Sequence, residues 1–242
     1  MATRRPKFDP ISPREIQIER VLGYDKDGSD SVNTFLVLIR GEKMVMRTYA
    51  NDHPVERGES TLFRIEKDAY ERLKAHGVCE KGYVPDYYGS IKKADFSDDL
   101  RPGPCDVSAI FLEYLPNLRR LDKAAHTEER WMRAEKGIDA IHEARVVRNH
   151  GRESSIDQFA FVSTDEARER IVWMDFEYSS IYPEDETLCS DQELEIRMEA
   201  EYVKSIRQEV SITDKCKGSP VSTPVYTCRY GHFQFVLKST EA

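Results

Sequence analysis

Two strongly β-prone segments lying close together constrain this chain more than any other feature. Residues 32–40 (VNTFLVLIR) and 44–49 (MVMRTY) are dense in apolar and β-branched residues, and only Gly41, Glu42 and Lys43 separate them. Such spacing points to a hairpin, and a hairpin is stable in water only as part of a wider sheet. Residues 16–22 (IQIERVL) alternate apolar and polar, the pattern of a half-buried strand. A turn-rich loop from Gly23 joins them to the hairpin, which gives an antiparallel meander of three strands. Beyond a polar loop at 51–58, residues 60–75 place Leu62, Phe63, Ile65, Ala69, Tyr70 and Leu73 on one helical face, and His76-Gly77 is a stop. Residues 83–91 and 107–114 return to strand, with a polar loop at 92–105 between them. The first 115 residues therefore read β-β-β-α-β-β.

The remainder turns helical. Residues 127–144 begin with Thr127 as a cap and Glu128 and Glu129 in the first turn, where carboxylates suit the helix dipole. Residues 146–162 read as irregular, 170–176 (RIVWMDF) as a short buried strand, and 191–210 as a strongly charged helix. A Ser/Pro linker at 218–224 precedes a final strand or hairpin at 226–238.

Composition narrows the function. Lys plus Arg number 36 against 44 Asp plus Glu, a net charge of −8 that supplies no basic footprint for nucleic acid. No apolar run approaches the roughly 18 residues that span a bilayer, so no membrane partner is expected. The five cysteines are scattered, with no CxxC pair, which points to reduced thiols and a cytoplasmic location rather than to a disulfide framework or a zinc cluster.

The order of elements, with a few anchor residues, resembles the protein-kinase-like superfamily, and within it the short fungal kinase-like proteins related to aminoglycoside phosphotransferases. Met44-Val45-Met46-Arg47 stands where that family has an apolar strand ending in Lys. Glu66, in FRIEKDAYERL, stands where the helix Glu pairs with it. Residues 111–115 (FLEYL), with Glu113 and Tyr114, look like the hinge. Residues 138–144 look like the helix before the catalytic loop, and 171–177 (IVWMDFE) like the strand bearing the metal-binding Asp, here Asp175. The resemblance implies an α+β, bilobal protein-kinase-like fold. A loose arm covers 1–15. A first lobe over 16–115 holds a five-stranded antiparallel sheet with one helix. A reduced, mainly helical second lobe covers 116–217, and a linker with a C-terminal strand covers 218–242.

The departures from the family bear on chemistry. Phosphoryl transfer needs a cation on the phosphates, a carboxylate at the acceptor hydroxyl and ligands for Mg²⁺. Arg47 replaces the Lys, and a planar guanidinium is not a conservative exchange for an ammonium. In 146–157 (VVRNHGRESSID), Arg148 falls on the family's His and His150 on its catalytic Asp, while Ser155 or Asp157 aligns with the metal-binding Asn. Gly23 and Gly28 make a poor phosphate loop, and Asp27 and Asp30 place negative charge beside it. Of the core set Glu66 and Asp175 stand unchanged. The expectation is a kinase-like scaffold whose phosphotransfer chemistry has gone.

Three readings follow. In the first, the interlobe cleft binds a small apolar organic molecule and promotes a cofactor-free reaction, such as an intramolecular cycloaddition of the Diels-Alder type in fungal natural-product biosynthesis. Arg47, Arg148 and His150 would serve there as catalytic donors, and Glu66, Glu113, Tyr114, Trp173 and Asp175 would line the cleft. No cofactor is expected, and no metal unless at Asp175. In the second the chain is a pseudokinase scaffold, and a protein partner enters under that reading alone. In the third it is a residual Mg-ATP-dependent phosphotransferase. Alongside these, Glu66 with Arg47 reads as a salt bridge fixing helix to sheet, His142 as a packing residue, and the acidic run 184–201 as a solvated face.

Overall fold

A computed structural model of the chain describes residues 10–23, 32–50, 61–94, 107–121, 127–148, 160–164, 169–215, 227–229 and 232–234. After a 3-10 turn at Pro13–Glu15, strands β1 (Gln17–Gly23), β2 (Val32–Ile39) and β3 (Glu42–Ala50) pair antiparallel in sequence order. Helix α1 (Thr61–Ala75) follows, then β4 (Tyr87–Ala94) and β5 (Val107–Glu113). The chain is α+β, and its sheet is five-stranded and antiparallel with the order β1-β2-β3-β5-β4.

The expected meander of three strands is present, and β5 lies between β3 and β4 rather than after β4. The residues explain it. The first six residues of β5 are all buried, so VSAIFL requires a central place with a strand on each side. Strand β4 carries Gly89, Lys92 and Lys93, which an edge tolerates. It also starts at Tyr87, later than expected, because Pro85 has no N–H to give a ladder.

Beyond the sheet come β6 (Arg119–Arg120), α2 (Glu128–Glu143), β7 (Val146–Val147), β8 (Ala160–Thr164), β9 (Glu169–Trp173), β10 (Ser180–Ile181), α3 (Ser190–Lys215) and the hairpin β11–β12 (Thr227–Arg229, His232–Gln234). Strands β6, β8 and β9 form a small antiparallel sheet, and β7 pairs with β10. The stretch expected to be irregular thus contains β7 and the start of β8, each paired with a segment distant in sequence. Strand β9 ends at Trp173, earlier than expected, because Asp175 has φ 61°, which no extended strand accepts. Thr127 caps α2 as expected: its hydroxyl accepts from the Arg130 N–H at 3.2 Å.

The two faces of the sheet have different cover. Phe35, Val37, Ile39, Met44, Met46, Ala109 and Phe111 form a core on one face, with Ile11 against it. The opposite face, with Val45, Tyr49, Ile110 and Leu112, opens a longer core. It runs through Phe63, Tyr70 and Leu73 of α1 to Trp131 and Ile138 of α2, then to Trp173, Phe176 and Val203. One continuous apolar body therefore joins the sheet to the helical part.

Candidate functional site

Strand periodicity sets the site. Side chains alternate across a strand, so Arg47 projects to the same face as Val45 and Tyr49, toward α1. On α1 the buried positions Phe63, Glu66, Tyr70 and Leu73 recur at intervals of three and four, which puts Glu66 on the apolar face of its helix. The two meet: Arg47 Nε lies 3.2 Å from Glu66 Oε2. The expected salt bridge between helix and sheet is present.

A third segment completes the centre. Asp175, held at φ 61°, accepts a hydrogen bond from Arg47 Nη1. Glu177 Oε2 accepts one from Nη2 at 2.7 Å. Tyr49 donates its hydroxyl proton to Glu66 Oε2, and the Phe176 N–H reaches Glu66 Oε1 at 3.4 Å. Glu66 is fully buried. Glu66, Asp175 and Glu177 each offer an oxygen, all within 4.8 Å of one another. These are donors that a hard divalent cation accepts, but the Arg47 guanidinium already stands among them. A metal ion and a guanidinium repel each other and do not share that place.

Three carboxyls thus face one guanidinium in a place with little water. Burial pushes the Glu66 carboxyl from 4.5 up to about 8; Arg47 opposes the rise, and the negative charges of Glu177 and Asp175 add to it. Burial also raises Glu177, against the pull of Arg47. For Arg47, burial works to lower the pKa, but the negative partners outweigh it and hold the guanidinium well above its usual range. The Tyr49 hydroxyl is pushed well up, by burial first and then by Glu66. The arrangement holds a cation at Arg47 and favours a proton on Glu66.

Arg148, expected as a catalytic donor, is 1% exposed and sits in the core. Its guanidinium stacks over Trp173 at 4.9 Å and Phe176 at 5.4 Å, and its Nη2 donates to the Met174 carbonyl at 2.7 Å. Burial lowers its pKa. Trp173, expected in a ligand cleft, is also core: it is fully buried and its indole N–H donates to the Ala134 carbonyl at 3.1 Å. The indole packs so closely on α2 that a Cβ on Gly137 would lie 2.8 Å from its nitrogen. His142 is buried as a packing residue, with Nε2 at 2.7 Å from Glu199 Oε2.

The residues expected at a hinge are committed as well. Glu113 accepts from the Asp86 N–H at 3.1 Å and from Arg170 Nη1 at 2.8 Å, and Arg170 also reaches the carbonyls of Gly82 and Val84 at 3.3 Å. Tyr114 is half-buried, with Arg20 Nη2 at 3.5 Å from its hydroxyl. His150, Gly28, Asp27, Asp30, Arg152, Ser155 and Asp157 lie outside the described residues.

The structure therefore gathers Arg47, Glu66 and Asp175, and places Arg148 and Trp173 behind them. Sequence reasoning missed Tyr49 and Glu177 as members of the centre. For Tyr49 the signal was there: it stands two residues after Arg47, on the same strand face.

No protein-family model matches the chain, and a search of curated proteins found none similar to it. Among the described residues, no helix is long and apolar enough to cross a membrane.

Proposed function

We propose that the chain is a kinase-fold protein without phosphotransfer chemistry, acting as a pseudokinase-like binding module. The β-β-β-α-β-β order, the pairing of a strand cation with a helix Glu, and an Asp just past a later strand support the fold assignment. One observation carries the loss of chemistry. A phosphate-binding cation must present free N–H groups to the nucleotide, whereas Arg47 turns Nη1 to Asp175, Nη2 to Glu177 and Nε toward Glu66. A triphosphate at this place would have to displace two carboxylates and accept a third as its neighbour.

The cycloaddition reading needs donors aimed into an apolar cleft. Arg47 and Arg148 are both turned to internal partners, and no feature of the described residues favours that reading over the binding module. The test is a thermal-shift panel with millimolar Mg-ATP beside apolar polyenes. The module predicts an unchanged melting temperature with nucleotide. A ligand at about a hundred times its Kd adds about 2.7 kcal/mol, and for a chain of this size that is a rise of about 5–11 °C. A rise of that order with Mg-ATP, with phosphate transfer, would overturn the assignment. A rise with a polyene alone would move it to the repurposed cleft.

A further inference from the structure

Asp175 is a non-glycine residue with φ 61°, a conformation that needs support from its surroundings. The support on one side is Arg148. Its Nη2 donates to the carbonyl of Met174, the residue directly before, at 2.7 Å, and its guanidinium lies over the Trp173 and Phe176 rings, 4.9 and 5.4 Å from their centres. Arg148 thus touches or brackets the residues 173, 174 and 176 around the turn that aims the Asp175 carboxylate at Arg47.

Arg148 is in turn held from α3. Glu199 Oε2 accepts from the Arg148 backbone N–H at 3.3 Å and lies 2.7 Å from His142 Nε2. Helix α3 is also held by Val203 in the core, by Arg207 on Glu128 and Glu135 of α2, and by Glu195, which accepts from the Tyr182 hydroxyl; of its residues 190–205, Val203 alone is fully buried, and Asp191, Glu193, Leu194, Glu195, Arg197 and Glu201 are exposed.

We propose that Arg148 is a positioning residue for the ion centre and that Glu199 makes it answer to α3. The seating of α3 then determines whether Asp175 stays on Arg47. The path is contiguous: α3, Glu199, Arg148, the Met174 carbonyl, Asp175, Arg47. A partner that lifts α3 takes the acceptor from Arg148 and loosens the turn at 174–176. This inference goes beyond the binding-module reading and stands on geometry alone, whatever nucleotide does.

The experiment is hydrogen–deuterium exchange by mass spectrometry on the full chain, comparing 174–178 with the β2 core at 36–39. Loss of a hydrogen bond to a charged group should raise local opening about tenfold or more. Glu199→Ala and Arg148→Met should each show that rise at 174–178 and none at 36–39. The double variant should show no more than the larger single effect, because both break one path. Glu199→Gln keeps a carbonyl acceptor and should stay within about threefold of the parent. Should Glu199→Ala fail to fold, Glu199→Asp, with its shorter reach, carries the same expectation. Parent-like exchange at 174–178 in Glu199→Ala, equal acceleration at 36–39, additive effects in the double variant, or Glu199→Gln behaving as the alanine variant would each overturn the proposal.

Discussion

Arg47→Met is the most informative single substitution. It retains much of the side chain's bulk and deletes its charge. Removing one partner from a buried ion pair commonly costs about 3–5 kcal/mol, because the remaining charge is left in a dry place. Here that range needs trimming. Asp175 and Glu177 side chains are 28% and 17% exposed, so water offsets part of their loss. Glu66 is fully buried with its carboxyl pushed to about 8, so near neutrality it already carries a proton much of the time. The expected destabilisation is therefore about 3 kcal/mol at about pH 7.5, or about 6–12 °C in melting temperature. At about pH 5 Glu66 is protonated, and Glu177, which burial also raises, is nearer its neutral form, so the repulsion among the uncompensated carboxyls is relieved. The loss should then shrink to about 1 kcal/mol, the residue of missing hydrogen bonds. Urea unfolding across that pH range, followed by the fluorescence of buried Trp131 and Trp173, measures both values. A cost below about 1 kcal/mol at the higher pH, or an equal cost at both, would show that the centre is not the charged knot described here.

Other outcomes follow from the same contacts. In the parent protein, Glu66 holds its proton in the folded state up to about 8 but releases it near 4.5 when unfolded. Its contribution to stability is thus complete below the lower value and lost as pH rises through the upper one. Stability should fall between those limits, and Glu66→Gln should flatten the slope in a pH series of unfolding midpoints. Gly137→Ala, which in an exposed helix adds about 1 kcal/mol, should instead destabilise by about 1–3 kcal/mol, because the new methyl meets the Trp173 indole at 2.8–2.9 Å; a raised melting temperature would refute that packing. Glu113→Ala and Arg170→Met should each cost about 1.5–3 kcal/mol, and a double-mutant cycle should return a coupling of at least about 0.5 kcal/mol, since Glu113 bridges Arg170 and the Asp86 N–H.

Most of the sheet was legible because strand signals are local. The density of β-branched and apolar residues in β2, β3 and β5 needs no tertiary information, and the apolar face of α1 marks its own limits. The position of β5 was not written in any one segment. It follows from comparing burial demand between strands: the first six residues of β5 are buried, while β4 carries Lys92 and Lys93 near its end. Strands β6, β7 and β10 escaped notice for a related reason, since two-residue strands exist only by virtue of a distant partner. In the centre, Arg47, Glu66 and Asp175 could be singled out and the Arg47–Glu66 pair expected, but not the closure of Asp175 and Glu177 onto the same guanidinium. Reading Arg148 and Trp173 as cleft residues failed because stacking of a guanidinium on an indole is a property of folded packing. A buried arginine and a loop arginine look alike in a string of letters.

The unbroken apolar body that runs from Val45 through Tyr70 to Trp173 and Val203 has a practical consequence. Severing the chain after residue 115 would leave each fragment with a raw hydrophobic wound rather than a finished surface. Neither piece should survive expression by itself, and mixing the two should be required to recover soluble material. The molecule is then indivisible in a way that its segmented element order does not suggest.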